Sequence, residues 1–233
     1  MPISKTKNED FFKCWSSEMA YVLGFIAADG SIIKNKRGAH FLEVETIDKG
    51  LLESIRKLIG SNHKIGIRKR SVSWQVSYRL QVGSKVMFDD LVDLGLTQNK
   101  AKRLRIPDVP KKYLAHFVRG YFDGDGSVSF CEKYKYNRKN CSRFIITRFV
   151  SSSEGMLNDI GTIIHDIAKA RLKKPVPRQD NSFQLQYSTN DSRKIYRFLY
   201  SKKDNIFLER KKIVFERYLK INPICSIQSG PVA

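Results

Sequence analysis

The chain has 233 residues, and 43 Lys and Arg against 23 Asp and Glu leave a formal charge of +20. A hydrophobic share of 41% with 11% aromatics is that of a folding chain, which excludes a disordered basic tail and allows one or two domains with real cores. No apolar run reaches the roughly 20 residues of a membrane-spanning helix, so the charge points to a polyanion, with nucleic acid favoured over a membrane surface because phosphate neutralisation releases counterions.

The N-terminal stretch MPISKTKNEDFFKCW has no continuous apolar core of a secretory signal, which predicts the cytoplasm, the nucleoid or an organellar matrix. Cys14, Cys131, Cys141 and Cys225 lack CxxC spacing, and His40, His63, His116 and His165 are equally scattered, so neither set predicts zinc. The first ordered signal is YVLGFIAADGSI, Tyr21 to Ile32, a helical pattern ending in Asp29 and Gly30. A basic loop with Lys34, Lys36 and Arg37 follows, then an amphipathic helix from Asp48 with Leu51, Leu52, Ile55, Leu58 and Ile59 on one face. Arg68 and Arg70 precede a strand from Trp74 to Gly83. Its apolar face holds Trp74, Val76, Tyr78, Leu80 and Val82, and its polar face Gln75, Ser77, Arg79 and Gln81. A helix in VMFDDLVDLG and the basic cluster QNKAKRLRIP close this half, and the prolines between Ile106 and Lys112 suit a linker.

The same order then returns. FVRGYFDGDGSV, Phe117 to Val128, aligns Gly120, Gly124, Asp125, Gly126 and Ser127 with Gly24, Ala28, Asp29, Gly30 and Ser31. A longer basic stretch with Lys133, Lys135, Arg138 and Lys139 follows, then Arg143, Arg148 and a helix from Ser153. Beyond Arg178, a strand alternates Phe183, Leu185 and Tyr187 with Gln184 and Gln186, and the half ends in the helix RKIYRFLYS and the basic cluster LERKKIVFERYL. The expected organisation is α+β: an N-terminal module over 1–106, a linker over 107–112, and a C-terminal module over 113–233 with a short tail.

Small residues four apart share a helix face, so Gly24 with Ala28 and Gly120 with Gly124 predict two smooth stripes. These either let the two motif helices pack closely on each other or sit beneath a strand. Gly30 and Gly126 are expected at left-handed positions closing the helices. Asp29 and Asp125 then stand at helix C-termini, where the macrodipole disfavours a carboxylate. Paired helices would bring the two acids together, and like charges about 4 Å apart repel by about 4 kcal/mol at an effective dielectric near 20. A divalent cation offsets this, whereas two exposed Asp-Gly turns would need none. A carboxylate-held cation beside a basic surface suits phosphodiester hydrolysis, one centre per strand. The glutamines and arginines of the polar strand faces can contact adenine and guanine in the major groove. The loop residues Lys34, Lys36, Arg37, Lys133, Lys135, Arg138 and Lys139 can reach phosphates or outer bases, and Arg68, Arg70, Arg143, Arg148 and Arg178 are further candidate DNA contacts.

VLGFIAADG, Val22 to Gly30, and VRGYFDGDG, Val118 to Gly126, resemble the motif of the LAGLIDADG homing endonucleases in their single-chain, two-motif form. The resemblance implies two αββαββα-like modules packed through the motif helices, each with a four-stranded antiparallel saddle on the DNA major groove. It implies a monomer that cuts both strands of a long asymmetric site across the minor groove, leaving short 3′ overhangs. Asp29 and Asp125 would be metal ligands together with the Ala28 and Gly124 carbonyls, for Mg²⁺, with Mn²⁺ a substitute and Ca²⁺ a support for binding without cleavage. Lys100 and Lys211 would lie in the catalytic neighbourhood; phosphate contact or solvated surface is the alternative, and Lys212 is the neighbour most easily confused with Lys211. Ala27 departs from the usual acid that Asp123 retains. An RNA-binding intron maturase or a cleavage-deficient DNA-binding protein on the same scaffold is the alternative function.

Overall fold

The computed structural model describes residues 5–69, 75–97, 103–134, 141–201 and 206–222. Helix α1 (Ser17–Asp29) starts where Ser16 Oγ accepts a hydrogen bond from the Met19 amide at 3.0 Å, an N-cap that satisfies one otherwise unpaired donor. It runs directly into β1 (Gly30–Lys34), followed by β2 (His40–Thr46), α2 (Lys49–Leu58), β3 (Gly66–Arg68), β4 (Ser77–Gly83) and α3 (Lys85–Asp93). After a short 3₁₀ turn the order repeats as α4 (Leu114–Asp125), β5 (Gly126–Tyr134), β6 (Cys141–Ser151), α5 (Glu154–Ala168), β7 (Val176–Pro177), β8 (Phe183–Tyr187) and α6 (Thr189–Tyr200). A last helix, α7 (Glu209–Ile221), is the basic cluster LERKKIVFERYL coiled up.

Each half therefore forms a four-stranded antiparallel sheet, ordered β1-β2-β4-β3 and β5-β6-β8-β7, as the α+β expectation holds. The helices cover one face of each sheet. Leu80 and Val82 in the first sheet and Ile145, Phe149 and Leu185 in the second point into the core they form. The motif helices are buried almost all round, Met19 to Ala27 in α1 and His116 to Asp123 in α4, as befits apolar helices packed between the two modules.

Several boundaries differ from the sequence reading. The strand expected from Trp74 begins at Ser77, and Trp74 itself lies outside the described residues. Strands β3 and β7 span three and two residues, too short for any periodicity to reveal. The extra residues of the second copy lengthen the β5–β6 hairpin, whose strands have 9 and 11 residues against 5 and 7 in β1 and β2. Leu104 to Ile106 sit against α5: Arg105 grips Asp159 through Nε at 2.7 Å and Nη2 at 2.6 Å, while Ser153 Oγ donates to the Leu104 carbonyl at 2.6 Å.

Gly30 and Gly126 are not left-handed. Both are extended, with φ of −98° and −90°, because each helix passes straight into a strand without a turn. Glycine is needed for space instead: a Cβ on Gly30 would meet Ile26 Cγ2 at 2.7 Å, and one on Gly126 would meet Phe122 Cδ2 at 2.2 Å.

Candidate active site at the end of the motif helices

The small-residue stripes face each other. A Cβ on Gly24 would lie 2.1 Å from the Phe117 carbonyl oxygen, one on Gly120 would lie 2.0 Å from that of Tyr21, and one on Gly124 would lie 2.4 Å from Ala28 Cβ. The alternative of glycines beneath a strand is thereby excluded: α1 and α4 touch backbone to backbone.

This contact sets the acids. Asp29 and Asp125 are the last residues of their helices, and neither helix carries a basic residue in its final turn. The Asp29 carboxylate reaches across to α4, where a Cβ on Gly124 would come within 3.3 Å of its Oδ2. Burial raises the Tyr121 phenol above its ordinary range, and the charges of Asp125 and Asp29 both add to that, so both acids act on the same end of the helix pair. No group of three or more His, Cys, Asp or Glu side chains that could hold a metal occurs among the described residues. A cation here would thus take its protein ligands from two carboxylates and neighbouring backbone carbonyls, a hard-oxygen set that fits Mg²⁺ or Ca²⁺ and leaves positions for water and phosphate. The gap kept open by the missing side chain of Gly124 beside Asp29 is consistent with that fit.

Lys211, on α7, is buried and brings the missing positive charge. Its three Nζ–H donors are shared among the carbonyls of Phe122 at 2.7 Å, Asp123 at 2.8 Å, Gly124 at 3.2 Å and Gly126 at 2.6 Å, capping α4 at the negative end of its dipole. Burial pushes its amine down to about 8, against the pull of Asp123 and, more weakly, Asp29 and Asp125. Lys212 faces elsewhere, over the Phe207 ring at 4.2 Å and 3.6 Å from Glu216. Lys211 is therefore the lysine at the motif end, in contact with the Gly124 carbonyl that the sequence reading gave to the metal.

Asp123, the acid that the first copy replaces with Ala27, is buried beside it. Its Oδ2 accepts from the Tyr21 hydroxyl at 2.7 Å and from the Leu208 amide at 2.8 Å, tying α4 to α1 and to the start of α7. Burial raises its carboxyl above the usual range, opposed by those two hydrogen bonds and by Lys211 and Arg119. Ala27, its counterpart, is a core residue at 3% exposure, so the substitution removes a tie and leaves the end of α1 intact. A second tie, between Arg210 and Asp48, joins the modules beside a cleft lined by Asp29, Glu43, Asp123 and Arg210, with Arg210 Nη2 at 2.8 Å from Asp48 Oδ2.

Strand alternation places Ser31, Ser77, Arg79 and Gln81 of the first sheet, and Ser127, Arg148, Gln184 and Gln186 of the second, on the faces away from the helices. Arg68 pairs with Ser77 and shares its face, and Gln75 lines the cleft with Asp29 and Arg210. Lys34, Lys36, Arg37, Lys133 and Arg178 are exposed. Arg143, five residues before Arg148, alternates onto the opposite face with Ile145 and Phe149, and its Nε donates to Glu132 at 2.8 Å. Arg70, Lys100, Lys135, Arg138 and Lys139 lie outside the described residues. Sequence reasoning missed Tyr21, Glu43, Glu45, Asp48 and Arg210, all of which act through partners distant in the chain.

Residues 16–92 match the LAGLIDADG-like domain family. The chain is similar to I-SmaMI bound to uncleaved DNA in the presence of calcium ions, with a TM-score of 0.60 and 16% identity over 89% of this chain and 90% of that one. It is similar to the I-LtrWI LAGLIDADG homing endonuclease bound to target DNA, with a TM-score of 0.57 and 14% identity over 92% and 90%. Among curated proteins, an uncharacterised protein of Methanocaldococcus jannaschii is 28% identical over 55% of this chain and 45% of its own length. A DNA-directed RNA polymerase subunit of that organism is 24% identical over 86% and 21%, and a probable translation initiation factor of Thermococcus kodakarensis is 28% identical over 55% and 10%. The chain thus spans less than half the length of each of these three relatives.

Proposed function

From its two-lobed LAGLIDADG homing endonuclease fold, we infer that this chain is a sequence-specific, divalent-metal-dependent endonuclease that hydrolyses one phosphodiester in each strand of duplex DNA. The observation that carries the reading is the backbone contact of α1 and α4, which brings Asp29 and Asp125 to one end of the helix pair, between two sheets with polar faces turned away from their helices. Asp29, Asp125 and the carbonyls of Ala28 and Gly124 are the groups that would hold the cation, which when bound supplies Lewis acidity toward the scissile phosphate and acidifies a water. The two sheets would lie along the major groove and position the minor groove at the acids, so that two cuts a few bases apart leave 3′ overhangs. Lys211 holds the C-terminal carbonyls of α4 in place and contributes positive charge where phosphate charge develops. Mg²⁺ suits this oxygen set, with Mn²⁺ a substitute and Ca²⁺ a support for binding alone. Similarity confined to a fifth of an RNA polymerase subunit and a tenth of a translation factor is the pattern of a module carried within unrelated host proteins, which suits a mobile element.

Asp29→Asn and Asp125→Asn test this. Each should abolish double-strand cleavage of a selected target in Mg²⁺ while leaving specific duplex binding in place. A variant that still linearises the plasmid overturns the assignment of the centre.

A further inference from the structure

The outward face of the first sheet carries two carboxylates where the corresponding face of the second carries none among the described residues. Glu43 on β2 accepts from Arg79 Nη2 and from Gln81 Nε2, the latter at 3.1 Å. Glu45, two residues on and on the same face, accepts from Arg68 Nη1 at 2.8 Å and from Ser77 Oγ at 2.7 Å. These carboxylates are mostly covered, with side-chain exposures of 12% and 20%, while the arginines they hold stand at 28% and 42%. Glu43 lies opposite Gln81 and Glu45 opposite Arg79. In the second sheet the matching positions are Arg148, opposite Gln186, and Val150, opposite Gln184. There Arg148 Nε is held by a neutral group, the Gln186 amide oxygen, at 2.7 Å.

A face that only gripped phosphate would be weakened by these acids, since each cancels a cation that could release a counterion. What they add is direction. A charge-assisted bond fixes a guanidinium fork that would otherwise sample many rotamers, and preorganised donors lose less on binding. In the major groove an arginine fork matches guanine O6 and N7, and a carboxylate accepts from the cytosine N4 amine. An arginine beside a glutamate therefore matches both edges of one G·C pair. It also disfavours others, because a carboxylate set against thymine O4 or guanine O6 meets acceptor with acceptor.

We propose that Glu43 and Glu45 are specificity-determining residues, aligning Arg79 and Arg68 for guanine and offering acceptors to cytosine, so that the half-site under the first sheet depends on G·C pairs at two places. The proposal rests on the reading of the chain as a duplex-DNA reader.

A binding selection from a randomised duplex library in EDTA, which separates reading from cutting, tests it with the unaltered chain, Glu43→Gln, Glu45→Gln and the double variant. The unaltered chain should enrich G·C at discrete positions on one side of the centre. The variants should lose about tenfold of discrimination there while keeping the preferences of the other side. They should also bind random duplex more tightly, with a salt slope steeper by about 0.9 for each cation released. Glu43→Asp and Glu45→Asp, which keep the charge but withdraw it by a methylene, should lose discrimination without steepening that slope, a result that a purely electrostatic role would not produce. Enrichment by the unaltered chain with unchanged or evenly altered preferences in the variants overturns this proposal alone. An unaltered chain that enriches no sequence overturns the DNA-reading function with it.

Discussion

Gly24 of the first motif helix and Phe117 of the second meet so closely that a single added methyl on Gly24 would lie 2.1 Å from the Phe117 carbonyl oxygen. Backbone cannot give way as a flexible side chain can. Gly24→Ala and Gly120→Ala should each force the helices apart and lower stability by roughly 3 kcal/mol, read as the urea unfolding midpoint. Because separation also displaces Asp29 and Asp125, cleavage should fall more than binding. Full stability in either variant would contradict the backbone contact.

Tyr21 reaches Asp123 across the module interface. Tyr21→Phe removes one of the two donors to Asp123 Oδ2 without creating a cavity, and should cost about 1–2 kcal/mol in thermal or urea unfolding. An unchanged midpoint would mean that the Leu208 amide alone is enough to hold the acid.

The pH response of the metal-free chain should report Lys211. The folded chain releases this proton at about 8, whereas the ordinary value is 10.5. Between those values the unfolded chain binds more protons, so the unfolding free energy should rise with pH across that window. Lys211→Met, compared in urea titrations in EDTA at both ends of the window, should remove the rise. Parallel curves for the two proteins would rule out this titration.

Asp48 stands at the N-cap of α2 yet makes no cap bond, its carboxylate being engaged by Arg210 of the other module. The Arg210 side chain is 51% exposed, so solvent screens the pair. A double-mutant cycle on Asp48→Ala and Arg210→Ala should give a coupling below about 1 kcal/mol. A larger coupling would show that the tie is shielded from water.

The repeat made much of this legible from the chain alone. Gly24, Ala28, Gly120 and Gly124 mark the helix contact because helical spacing is local, and Asp29 and Asp125 follow from their place at the helix ends. Glu43 and Glu45 are illegible in the sequence for the opposite reason: their meaning comes from Arg79, Gln81, Arg68 and Ser77 across neighbouring strands, and register between strands is not written in any one segment. An Asp-Gly pair closing a helix suggests a left-handed turn, whereas Gly30 and Gly126 are required for room against Ile26 and Phe122 in the tertiary structure. Arg143 and Arg148 carry the same charge, but their odd separation sets them on opposite faces of β6.

The unequal hairpins carry a consequence for any duplex beneath them. Strands β5 and β6 are each four residues longer than β1 and β2. At roughly 3.3 Å per residue that is about 13 Å of extra reach, or some four base-pair steps of ~3.4 Å. A protected footprint on the proposed target would then be lopsided, stretching further from the cut on the side of the second module, and a truncated target would tolerate losses on the first side sooner than on the other.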